Sequence, residues 1–113
     1  LAHVYPGAPV QLPREAVLAA LRPLLADPAK RKLGQHGKYD LHVLRRHGVE
    51  VHGYADDTLL ESFVLNAGIA RHDMDSLAQR HLGYQTVKYE EVAGKGAKAI
   101  AFSHVAIDDA TRY

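Results

Sequence analysis

Seven consecutive residues, Gly34-Gln35-His36-Gly37-Lys38-Tyr39-Asp40, gather an amide, an imidazole, an ammonium, a phenol and a carboxylate in one short segment. Asp57-Thr58, Glu61-Ser62 and Arg71-His72-Asp73-Met74-Asp75-Ser76-Leu77 follow at fixed distances, and the sequence closes on Thr111-Arg112-Tyr113. Lys38 and Arg71 are residue types that neutralise phosphate. Gln35 can hydrogen-bond a sugar or a phosphate, and the Tyr39 ring can stack on a base of any identity. Each also has a plain structural reading: a solvated Lys and Gln, a core Tyr, a surface salt bridge. Met74 and Tyr89 suit the walls of a strand-binding groove and core packing equally. Asp40, following a turn, is by default a helix cap or a surface acid. Tyr113 by itself packs its ring on the core.

Other patterns carry less. Eight histidines invite a zinc site, but none forms a His-Glu-x-x-His pair and there is no cysteine to support them. His42, His47 and His52 are spaced by five, which aligns with neither helix nor strand. Ala93-Gly94-Lys95-Gly96 lacks the spacing of a phosphate loop, and Ala93 to Lys98 reads as a mobile basic loop. A net charge of +1 does not diagnose nucleic-acid binding. Its distribution says more, with six basic residues against one acid between Lys30 and Arg46, an excess that suits a phosphate backbone or a solvated face. The lack of cysteine rules out a disulfide framework and fits a reducing cytoplasm. No long apolar run suggests a membrane span. At 113 residues and 47% hydrophobic content, the chain has room for one domain.

The elements that must position these side chains alternate. Residues 1–12 read as a strand end and a loop. Pro13 and Glu15 open a helix that buries Val17, Leu18, Leu21, Leu24 and Leu25 as one stripe, with Pro23 predicting a kink or an early end and Asp27-Pro28 closing it. Lys32 to Gly34 is a short strand, and Lys38 to His47 a helix stopped by Gly48. Val49 to His52 alternates like a half-buried strand. Thr58-x-x-Glu61 is a capping box ahead of an apolar face of Leu59, Leu60, Phe63 and Val64. Asp73 caps a helix ending near Gly83, and a last helix begins near Ile107. Strands alternating with helices give an α/β fold.

Taken together, the segments from Gly34 to Leu82 and from Glu90 to Gly96, with Tyr113, resemble the 3′→5′ proofreading exonuclease domain of bacterial DNA polymerases of the polymerase I (Klenow) type. The resemblance implies a ribonuclease-H-like fold, a mixed sheet flanked by helices, with residues 1–113 forming part of one domain whose first strands are missing. It implies two-metal hydrolysis of mispaired 3′-terminal nucleotides, with Mg²⁺ or Mn²⁺ held by carboxylate oxygens. Asp40 falls on a metal-binding aspartate, and Tyr113 on the tyrosine that orients the attacking water. Gln35, Lys38, Tyr39, Arg71, Met74 and Tyr89 fall around the single-stranded 3′ end of DNA. The implied setting is the bacterial cytoplasm, with the nucleoid, and the implied partner is the polymerase domain of the same parent chain.

The sequence departs from the family at His36-Gly37, where close relatives have Asn-Leu. The family's Asp-x-Glu pair and final aspartate have no counterpart in these residues, so the isolated chain is expected to be an inactive fragment. An exposed sheet edge and apolar face are expected to make it self-associate. Two rival readings remain: a non-catalytic DNA-binding or structural exonuclease-like domain, and a stand-alone exonuclease acting on RNA.

Overall fold

Lys32, Leu33 and Gly34 form the first strand, β1, and Tyr54–Asp57 the second, β2. They run parallel, with Lys32 opposite Tyr54, Leu33 opposite Asp56 and Gly34 opposite Asp57, and an irregularity between Lys32 and Leu33. Parallel strands need a crossover, and the helix α2 (Lys38–Arg46) supplies it. The computed structural model describes residues 2–113. Around this βαβ unit lie α1 (Arg14–Ala26), α3 (Thr58–Leu65), α4 (Met74–Leu82), α5 (Tyr89–Ala93) and α6 (Ile107–Arg112), with single 3₁₀ turns at Gly96–Lys98 and Phe102–His104.

Several sequence expectations hold in place and type: β1, α2 with Gly48 beyond its end, α4 capped by Asp73 and ended at Gly83, and α6. Others need correction. Residues 2–5 form no strand, although the Val4 N–H is tied to the Ser103 carbonyl at 2.7 Å. The second strand is not Val49–His52. That segment does alternate, with Val49 fully buried and Glu50 exposed, but it lies between left-handed Gly48 and Gly53 and bonds elsewhere. Val49 N–H reaches Leu44 and His52 N–H reaches Leu25 of α1. Pairing with β1 starts only when the Gly53 carbonyl accepts from Lys32 N–H at 2.8 Å. The Ala93–Lys98 segment is not an open loop. It folds into a turn, with Ile100 N–H donating to the Ala93 carbonyl at 2.8 Å and Lys95 paired to Glu90.

Helix α1 runs three residues past Pro23 to Ala26. Pro23 and Ala19 are both exposed, so the carbonyl that proline leaves without a donor meets water, which lowers the cost of the break. Its expected stripe is not buried: Leu21 and Leu24 remain 42% and 52% exposed. Helix α3 is barer still. Leu60, Phe63, Val64 and Leu65 all stand exposed, and among the described residues the only fully buried apolar ones are Val49, Ala93 and Val105. A radius of gyration of 16.7 Å exceeds the about 13 Å of a compact domain of this length. The apolar periodicity was a sound helix signal, but among the described residues nothing covers the face it marks.

One side chain joins the pieces of the βαβ unit. Asp57, at the end of β2, is 8% exposed. Its carboxylate accepts from His36 N–H (3.0 Å), Gly37 N–H (2.8 Å), the Tyr54 hydroxyl (2.8 Å), Leu59 N–H (3.1 Å) and Leu60 N–H (3.5 Å). Asp57 therefore caps α3, a role the sequence pattern gave to Thr58. Thr58 instead is the first helical residue, and its hydroxyl donates to the Gly34 carbonyl at 3.3 Å. Burial pushes the Asp57 pKa up, but the donors from Gly37, Tyr54, His36 and Leu60 outweigh it and hold it at about 2. Tyr54 lies over the β1–α2 turn, so that a Cβ on Gly37 would fall inside its phenol and one on Gly34 within 2.6 Å of its hydroxyl oxygen. Burial, and then the bond to the Asp57 carboxylate, raise the Tyr54 pKa.

Two outcomes follow from this arrangement. Because the folded pKa of Asp57 is depressed below the ordinary value of about 3.9, its contribution is complete above about pH 4 and is lost as pH falls toward about 2. The shift corresponds to roughly 2 kcal/mol. The stability gap between wild type and Asp57→Asn, measured by denaturant titration, should therefore narrow over that window; a pH-independent gap would remove Asp57 from this role. Gly37→Ala should cost about 1–3 kcal/mol by overpacking, and Gly37→Ala combined with Tyr54→Phe should recover part of it.

Candidate active site

The first turn of α2 presents Lys38, Tyr39 and Asp40, all exposed, with Tyr39 at 71%. Their direction is fixed from behind, because the two N–H groups preceding the helix are held on Asp57. Asp40 lies near the positive end of the helix dipole and makes no hydrogen bond or ion pair among the described residues. Its charge is felt by the Tyr54 phenol, as a minor contribution to that group's raised pKa.

Gln35 connects this turn to the next part of the site. Its Nε2 donates to the His72 carbonyl at 2.9 Å, bringing the β1–α2 turn alongside Arg71-His72-Asp73. The His72 ring is fixed in turn by α3, sharing a 2.9 Å hydrogen bond with Ser62 Oγ and meeting the Phe63 ring edge-on at 5.3 Å. Arg71 Nε donates to Asp73 Oδ2 at 2.8 Å. Asp73 caps α4 by accepting from Ser76 N–H and Ser76 Oγ, both at 3.0 Å. The Ser76 N–H is the chief reason its pKa is lowered; burial opposes this, and the Ser76 hydroxyl and Arg71 add to it. Met74, 57% exposed, opens α4 and lines an apolar hollow with Leu65, Leu77 and Leu82.

The remaining two candidates sit in a separate group. Tyr89, at the start of α5, and Tyr113, just beyond α6, meet edge-on at 5.9 Å. Phe102 stacks on Tyr89 at 6.0 Å and leans on Tyr113 at 5.7 Å, and His3 closes the cluster edge-on to Phe102 at 5.6 Å. Tyr89 and Tyr113 are 45% and 54% exposed. Among the described residues, no hydrogen bond, ion pair or ring contact joins this group to Asp40.

The geometry can offer a nucleic-acid strand cations, an amide and ring faces. It does not assemble a metal centre. Among the described residues, no three His, Asp or Glu side chains converge as metal ligands, and Asp40 alone cannot satisfy an ion that takes six oxygens. The residues present do not by themselves fit a two-metal site. Sequence reasoning missed three structural partners of these candidates. Asp57 was visible as an acid next to a capping box, and an Asp at a helix start was the available signal. His3 and Tyr5, whose partners lie about a hundred residues away, left none.

The family model described as DNA polymerase I, ribonuclease H-like domain, matches residues 8–107. The chain is 53% identical over its whole length to DNA polymerase I of Pseudomonas aeruginosa, of which it spans 13%. It is 42% identical over 91% of its length to DNA polymerase I of Rhizobium leguminosarum, spanning 10% of that protein. To DNA polymerase I of Chloroflexus aurantiacus it is 30% identical over 91%, spanning 11%. The two parallel strands and their flanking helices are consistent with a truncated ribonuclease H-like α/β fold. The resemblance, strongest from Gly34 to Leu82, runs over essentially the whole chain, which belongs to the ribonuclease H-like domain family of DNA polymerase I.

Proposed function

We propose that residues 1–113 are part of the 3′→5′ proofreading domain of a longer DNA polymerase, acting on mispaired 3′-terminal nucleotides during replication and repair. The observation that carries this reading is the Gln35–His72 hydrogen bond, which puts the exposed Lys38-Tyr39-Asp40 turn beside Arg71 and Met74 in a chain of this family. Lys38 and Arg71 contact phosphate, Gln35 bonds a sugar or phosphate oxygen, and Tyr39, Met74 and Tyr89 lie against the bases of a single-stranded 3′ end. Asp40 contributes one carboxylate to a Mg²⁺ or Mn²⁺ centre whose other ligands are not among these residues, and Tyr113 orients the attacking water.

The partners are single-stranded DNA and the polymerase domain of the same parent chain, in the bacterial cytoplasm. No helix among the described residues is long and apolar enough to cross a membrane. The lone position of Asp40 favours a second reading, a non-catalytic DNA-binding or structural domain. The bare face of α3 supports self-association of the chain when it stands by itself.

In the longer protein, Asp40→Ala should slow Mg²⁺-dependent removal of a mismatched 3′ nucleotide by about 100-fold or more. If neither protein trims the primer, the second reading replaces the first. The 113-residue chain alone should release no nucleotide from a 3′ end; Mg²⁺-dependent degradation abolished by Asp40→Ala would contradict that. It should sediment as oligomers at high concentration, and a sharply melting monomer there would disprove self-association.

A further inference from the structure

Three consecutive residues near the start of the chain hold the entry to its last helix. The Val4 N–H donates to the Ser103 carbonyl at 2.7 Å, His3 Nδ1–H to the Val105 carbonyl at 2.9 Å, and the Tyr5 hydroxyl accepts from Ile107 N–H at 3.2 Å. The backbone of residues 3–5 is braced in turn: His3 N–H donates to Gln11 Oε1 at 2.7 Å, and Gln11 Nε2 returns a 2.8 Å bond to the His3 carbonyl. Val105, buried to 1% exposure, lies at the centre of these contacts.

What the Tyr5 hydroxyl supplies is something α6 lacks. The helix begins after Ala106, which has no side chain able to accept from the first amides, and those amides are orphaned in any helix. Ile107 N–H finds its acceptor 102 positions upstream. A helix of six residues is far below the length that stands by itself in water, so its axis is set by such ties. Tyr113 follows directly, its N–H bonded to the Asp109 carbonyl at 3.1 Å. Its ring leans on Phe102 at 5.7 Å, and His3 meets the same Phe102 ring edge-on at 5.6 Å.

We propose that Tyr5, supported by His3, is a positioning residue for Tyr113, aiming it through the start of α6. This rests on the reading of Tyr113 as the group that orients water. The test uses the longer protein and single-turnover trimming of a single-stranded 3′ end. Tyr5→Phe removes only the accepting oxygen. It should lower the trimming rate about tenfold while leaving KM, polymerase activity and Tm in place. The decisive variant is Tyr5→Phe combined with Tyr113→Phe. If Tyr5 acts through Tyr113, the pair trims no more slowly than Tyr113→Phe alone. Multiplying effects, or an unchanged rate for Tyr5→Phe beside a slowed Tyr113→Phe, would overturn the role of Tyr5 and spare that of Tyr113. A Tyr113→Phe protein as fast as wild type, or a wild type that does not trim, would overturn both.

Discussion

A single buried carboxylate sets the geometry of the βαβ unit. Asp57 stands at the end of β2, yet its five hydrogen-bond donors come from the β1–α2 turn, from β2 itself and from the first turn of α3. A buried charge is tolerable only when its lone pairs are filled, and here the filling welds three elements together. The local backbone is shaped to do it. His36 adopts φ 57° and Gly37 is right-handed at φ −62°, a succession that points adjacent N–H groups at one anion. In many proteins such a nest receives a phosphate. Here Asp57 already occupies it, so the amides of His36 and Gly37 are not free to receive another anion.

The same network restricts what residue can stand at position 37. A leucine at position 37 would collide with the Tyr54 phenol, which lies where even a Cβ cannot. Tyr54 thus fills the volume that a larger residue at 37 would take, and adds a donor to Asp57. Glycine at 37 is demanded by space, its φ being ordinary. The strain sits one residue earlier, at His36, the only non-glycine with positive φ among the described residues. Such a conformation costs of order 1 kcal/mol, and two hydrogen-bonded amides on a buried carboxylate offset it.

How far this was legible depends on range. Elements marked by local chemistry, such as α4 between Asp73 and Gly83, could be read from the sequence because their determinants lie within a turn of each other. Strand β2 could not. Tyr-Ala-Asp-Asp has little strand character, and it pairs because Asp57 and Gly53 bond across to the β1 side. The alternating segment Val49–His52 looked the better strand, yet it spends its amides on α2 and α1. Gln35, Lys38, Tyr39 and Asp40 were named as candidates through the family resemblance, while the Gln35–His72 bond that brings their turn beside Arg71 left no signal in the sequence. Tyr5 was out of reach altogether, since a contact across 102 residues leaves no local periodicity.

The two halves of the candidate site also differ in what holds them. Asp40, Lys38 and Tyr39 depend on a charged network, with Asp57 at its centre and α3 behind it. Tyr113 and Tyr89 depend on stacked rings and neutral hydrogen bonds over Val105. The first loosens as carboxylates protonate; the Tyr5 and Phe102 contacts of the second involve no carboxylate, while α5, which carries Tyr89, is capped by Glu91 Oε1 accepting from Lys88 N–H at 3.0 Å. Among the described residues no hydrogen bond, ion pair or ring contact joins the two groups directly, and they are linked through the segment from Gly83 to Ala101 on one side and from Tyr5 through α1 to β1 on the other. Effects within each network should therefore be coupled, and effects across them close to additive.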